Sequence, residues 1–202
     1  MNEAALGFRV KSGWAMVVLL SGASSSPRVI DRRRIELADP AVPDSSQPFH
    51  AGLDLPKAAG AKAVARLVRC VEQSSERAVA ELIKHYRAGD YRIVGAGIVV
   101  GSTVDPQTIK NDHIRAHAEE GRLFRVVIEN ALKLSRLKSS VTREKDSMSE
   151  GTKALGISER KLRAKLATMG KAVEGSWRAE EKAATLAAWM ELVRRSRSRI
   201  QT

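Results

Sequence analysis

His113 and His117 stand one helical turn apart, and Glu120 follows on the same face. Two imidazoles at that spacing can hold a metal ion, with Glu120 as a third ligand. The order is not the His-Glu-x-x-His of zinc peptidases, and a pair of surface histidines at a helix start is the plainer reading. Asp112, in the same first turn, suits the positive end of the helix dipole. The run Gly95-Ala96-Gly97-Ile98-Val99-Val100-Gly101 has the glycines of a nucleotide loop. They lie inside an apolar strand rather than after one, so close packing of a helix on a sheet explains them better. Ser102, Thr103 and Asp105 follow directly, at a strand end where α/β sheets bind their ligands. Gly121, interior to a predicted helix, costs up to about 1 kcal/mol relative to alanine and signals close packing or a ligand on that face.

Cations are the other recurrent chemistry, with runs at 32–34, 133–143, 160–171 and 194–199 and a net charge of +12. Such a chain favours phosphate-rich partners, because Lys and Arg release condensed counterions; a solubilising surface is the competing explanation. An aromatic content of 4% disfavours a base-stacking platform, so contacts are expected to phosphates. Candidates are Arg32, Arg33, Arg34, Arg160, Lys161, Arg163 and Lys165. A single cysteine, Cys70, excludes an internal disulfide and a cysteine-only metal site. Its place on an apolar helical stripe makes it a buried, inert thiol.

These residues need a scaffold, and the hydrophobic fraction of 43% and charged fraction of 29% are those of an ordinary globular chain. At 202 residues a single domain buries roughly 70% of the surface its unfolded chain exposes. Residues 6–20 form a β-rich run that turns at Gly22 to Pro27 into a second strand, 28–38, interrupted by arginines as at a sheet edge. The run's apolar part, 14–20, preceded by Arg9 and Lys11 and followed by Gly22, Ala23 and Ser24, has the outline of a signal peptide, but it is short and the chain continues into a hairpin partner. Residues 39–56 hold several prolines and read as a loop with a short strand around 49–55. Helical spacing follows over 57–88, then a glycine-bounded strand over 91–100, a second helix over 111–137 and a short strand over 139–144. Two capped helices close the chain: one after Ser158 that stops at Gly170, the other after Ser176 with Glu180 and Glu181 in its first turn. No stretch approaches the roughly 20 apolar residues needed to span a bilayer.

A β-hairpin, a possible third strand, then helix, strand, helix, strand and helix is an order that resembles the ribonuclease H-like superfamily, which includes Holliday-junction resolvases. The stretch Leu6-Gly7-Phe8-Arg9-Val10-Lys11-Ser12-Gly13-Trp14-Ala15 resembles a resolvase first strand, and the last helix, with Trp177, Glu180, Glu181 and Trp189, resembles their acidic final helix. The resemblance implies an α/β fold: a ribonuclease H-like mixed sheet, an antiparallel hairpin plus parallel strands, flanked by helices. One such domain is expected over 1–202, with a helical C-terminal part over 153–197. It also implies a metal-binding aspartate in the first strand. Aligning on Gly7 puts Arg9 there, and aligning on Gly13 puts Lys11 there. Two-metal cleavage needs converging carboxylates around ions roughly 4 Å apart, and a fixed cation at that position repels both.

The leading expectation is therefore a cytoplasmic, non-catalytic module that binds nucleic acid through basic residues, Arg9 and Lys11 included, without a cofactor or a membrane. A divergent nuclease using Mg or Mn through Glu36, Asp105, Glu180 and Glu181 is the enzyme alternative. A scaffold subunit, dimerising through the alanine-rich final helix, is the third.

Overall fold

Strand β1 (Asn2–Lys11) is buried along almost its whole length, and its register explains why. It lies at the centre of a sheet of order β3-β2-β1-β4-β5, where β2 is Trp14–Ser21, β3 Arg28–Glu36, β4 Tyr91–Val100 and β5 Ser139–Arg143. β1, β2 and β3 pair antiparallel, while β4 pairs parallel with β1 and β5 parallel with β4. The computed structural model describes residues 1–200, with side chains to residue 197. The cation at 199, part of the last basic run, lies outside the described side chains.

The β1–β2 turn is two residues long and places Gly13 at φ 82°, a conformation that needs glycine. The run 6–20, read as one strand, is thus two, β1 and β2 folded back on each other, and β2 is an inner strand hydrogen-bonded on both sides. β3 takes the sheet edge, as its interrupted pattern suggests. The prolines at 40 and 43 keep the following segment irregular, but 49–55 is not a strand. Pro48–Leu53 forms a short helix, α1, with Pro48 in its first turn, where a missing N–H costs nothing.

Long α2 (Lys57–Ala88) and α3 (Asp112–Leu134) cover one face of the sheet. There Leu6, Phe8 and Val10 of β1 meet Val71, Val79, Ile83, Phe124 and Ile128. Cys70 is only half-buried on α2, so the expected thiol is less enclosed than its stripe implied. Helices α4 (Glu144–Leu155), α5 (Glu159–Gly170) and α6 (Ala179–Ile200) occupy the other face. Ala5 and Leu20 pack there with Leu162, Leu166, Leu186, Trp189 and Met190. Helix α4 has no counterpart in the sequence reading, because only Met148, Ala154 and Leu155 give it apolar spacing.

Close approach of α6 to the sheet is what the strand glycines permit. A Cβ on Gly7 would sit 1.8 Å from the Ala184 carbonyl oxygen, and one on Gly97 would sit 2.5 Å from that of Ala187. α6 is consequently buried from Ala184 to Leu192, apolar towards both the sheet and α4, so its alanine-rich face is occupied within the chain. Among the described residues no helix is long and apolar enough to cross a membrane.

Candidate functional site

Parallel pairing of β1 with β4 brings their C-terminal ends together, Arg9 beside Val99. The chain then leaves β4 through Gly101-Ser102-Thr103-Val104 and returns as α3. Between these ends and α3 lies a cleft of about 320 Å³. Its walls are Arg9 to Ser12, Val100 to Val104, and His117, Ala118, Gly121, Arg122, Phe124 and Arg125 of α3. Four of those residues are permanent cations and none is a carboxylate.

Each cation has a distinct setting. Arg9 is buried to 3% exposure; one terminal nitrogen donates to the Val10 carbonyl at 2.8 Å and the other to Glu144, the first residue of α4. Lys11 lies 3.6 Å from Glu180 of α6. Arg125 is 3.6 Å from Glu129, too long for a hydrogen bond. The Nε atoms of Arg9 and Arg125 are buried without a hydrogen-bond partner among the described residues. Arg122 is exposed on the rim. Gly121 leaves its flank open, for a Cβ there would meet nothing within 4 Å. Of the two explanations for a glycine inside this helix, close packing is the one the structure removes.

The four expected acids are dispersed among separate tasks. Asp105 caps a single 3₁₀ turn (Pro106–Thr108), accepting from the Gln107 N–H at 3.1 Å. Glu36 faces solvent at the sheet edge with Arg34 at 2.7 Å. Glu180 is taken by Lys11, and buried Glu181 accepts from Arg32 at 3.1 Å and from the Arg178 N–H at 2.9 Å. None of the four lines the cleft.

The β3 arginines are also engaged. Arg32 spans to Glu181 and to the Glu174 carbonyl, Arg33 pairs with Asp31, and Arg34 lies over the Trp14 ring at 4.4 Å while bonding Glu36. Along β3 each of these arginines is thus paired with a neighbouring acid, Arg34 with Glu36 at exposed positions. Arg160 and Lys161 of α5 are exposed; Arg163 pairs with Glu159, and Lys165 covers Trp189. Arg122 and Arg125 were not singled out by their spacing, since on α3 they look like ordinary solvent-facing positions.

The histidine pair has a different neighbourhood from the one its spacing suggested. His113 and His117 are joined by His50 of α1, while Glu120 is buried beneath them and bonds His50.

A mixed five-stranded sheet with this order, sandwiched between helices, is a ribonuclease H-like fold. Among solved structures the chain is similar to RuvC from Thermus thermophilus, with a TM-score of 0.57 and 9% identity over 98% of this chain and 97% of that one. It is similar too to T. thermophilus RuvC in complex with a Holliday junction substrate, with a TM-score of 0.56 and 9% identity over 97% and 96% of the two chains. No protein-family model and no curated protein sequence matches it.

Proposed function

We propose that this chain is a ribonuclease H-like module that binds nucleic acid without cutting it, taking a backbone phosphate into the cleft at the ends of β1 and β4. The observation that carries this reading is the lining itself: Arg9, Lys11, Arg122 and Arg125 with no carboxylate. A pair of magnesium or manganese ions does not fit there, since hard cations need oxygen ligands and the guanidinium of Arg9 would repel them. Phosphate oxygens suit the same walls, where the exposed guanidinium of Arg122 offers donors at the rim. Arg9 and Lys11 stand in for metal charge, each neutralising an acid from the helices opposite, Glu144 and Glu180. The similar fold of a T. thermophilus RuvC in complex with a Holliday junction substrate makes branched DNA the first ligand to try.

The test is an anisotropy titration with four-way junction, duplex and single-stranded DNA at about 50 and 200 mM salt, with a cleavage gel on the same samples in magnesium. Expected are salt-dependent binding and no products, with Arg122→Ala weakening binding uniformly and reducing the salt slope by about 1. Binding no tighter than about 10⁻⁴ M at the lower salt, or products that vanish with chelator, overturns the reading.

A further inference from the structure

The three histidines gathered between α1 and α3 form a constellation that the nucleic-acid reading does not use. Their ligand atoms all lie within 4.8 Å of one another. The Nε2 atoms of His113 and His117 are 3.2 Å apart. In a tetrahedral zinc site with Zn–N near 2.0–2.1 Å, neighbouring nitrogens are about 3.3–3.4 Å apart, so this pair already stands at ligand spacing. The rings meet edge to face, His50 to His113 at 4.8 Å and His50 to His117 at 4.2 Å between centroids.

His50 carries the second, independent sign. Its Nδ1 lies 2.7 Å from Glu120 Oε1, and its backbone N–H donates to the same oxygen at 3.2 Å. A carboxylate only accepts, so the ring proton sits on Nδ1 and the Nε2 lone pair is free. That Nε2 is buried and has no hydrogen-bond partner among the described residues. Glu120 is fully buried on α3, and its Oε1 serves the ring and the backbone of this one residue. A carboxylate that bonds one nitrogen of a histidine whose ring packs against two more imidazoles has the form of a metal site's outer layer. Local structure holds the parts in place: Gly52 and Gly60 let α1 lie directly against α2, since a Cβ on Gly60 would fall 2.5 Å from the Gly52 oxygen.

We infer that His50, His113 and His117 bind one divalent zinc-class ion, with Glu120 positioning His50 and solvent or an anionic ligand in the fourth place. Three neutral nitrogens select a borderline metal over magnesium, which demands oxygens. The ion would tie the short α1 to α3 beside the phosphate cleft, for His117 belongs to both. The inference stands without the nucleic-acid reading, because it concerns metal affinity and needs no DNA.

Its test is calorimetric titration of the tag-free protein with Zn²⁺, Co²⁺ and Mg²⁺. One equivalent of Zn²⁺ is expected, a Co²⁺ adduct with the visible absorption of a four-coordinate ion, and no stoichiometric Mg²⁺. Outer-layer changes typically cost about 10–100-fold in affinity, which is the loss expected of Glu120→Gln. His113→Ala and His117→Ala, both at exposed positions, are expected to lose more than that while keeping the native circular dichroism. Absence of a stoichiometric Zn²⁺ isotherm, or Zn²⁺ affinity unchanged in those two variants, overturns the site and leaves a hydrogen bond between two imidazoles.

Discussion

Arg9 at the end of β1 donates to Glu144 at the start of α4, joining segments 135 residues apart, and only the arginine is buried. Removing the acid strands a desolvated guanidinium. Glu144→Ala is therefore expected to destabilise the fold by about 1–3 kcal/mol, measured by urea unfolding. Arg9→Met, which takes away the buried charge itself, is expected to cost less. The reverse ranking would mean that the ion pair, and not the penalty for an unpaired charge, holds this corner.

Lys11 and Glu180 face each other at 3.6 Å beside the cleft. Glu180→Gln releases the ammonium and removes a negative charge that repels DNA. Tighter binding and a steeper salt dependence are expected in the anisotropy assay. In a metal-dependent nuclease the same change abolishes cleavage, so one variant separates the two readings.

Glycines at two places predict opposite outcomes. Gly7→Ala drives a methyl into the backbone of α6 and is expected to cost upwards of about 3 kcal/mol. Gly121→Ala meets open space on α3 and is expected to add up to about 1 kcal/mol of stability. If phosphate backbone lies along that flank, the same methyl weakens DNA binding even as thermal stability rises.

Tyr86 supplies the pH dependence. Burial first, and the hydrogen bond to Asp31 at 2.7 Å second, hold its phenol well above the ordinary value of 10.0. The folded chain keeps this proton at a pH where the unfolded chain releases it, so the contribution is complete below pH 10 and is lost as pH rises towards the folded value. Urea midpoints are expected to fall above about pH 10, and less steeply in Tyr86→Phe.

Where a segment carried its own periodicity, the sequence was sufficient: α2 runs over 57–88 and β4 over 91–100 as their spacing predicts. The strand glycines were also legible, because an apolar strand tolerates them only where something presses close. The apolar run 6–20 hid a two-residue turn at Ser12-Gly13, and the other misread elements were those whose apolar content is thin. α4 hides behind serines and charges, and 49–55 has too few residues to distinguish a helical turn from a strand. Of the candidate site, the cations in β1 were legible, since the resemblance of residues 6–15 to a resolvase first strand singled out Arg9 and Lys11. The rest required folding: Arg122 gains meaning from the strand ends opposite, and His50 reaches His113 and His117 only because α1 docks against α3.

The late arrival of α6 sets a kinetic hazard. β1, β2 and β3 can zip together as neighbours, whereas β4 must await the 32 residues of α2 before it can pair with β1. Even then, Ala5 and Leu20 on the second face lack their cover until α6, the last described element, reaches Gly7 and Gly97. A nascent chain thus carries an uncovered apolar sheet until α6 is made, and association with other chains competes with the docking of α6 during that interval.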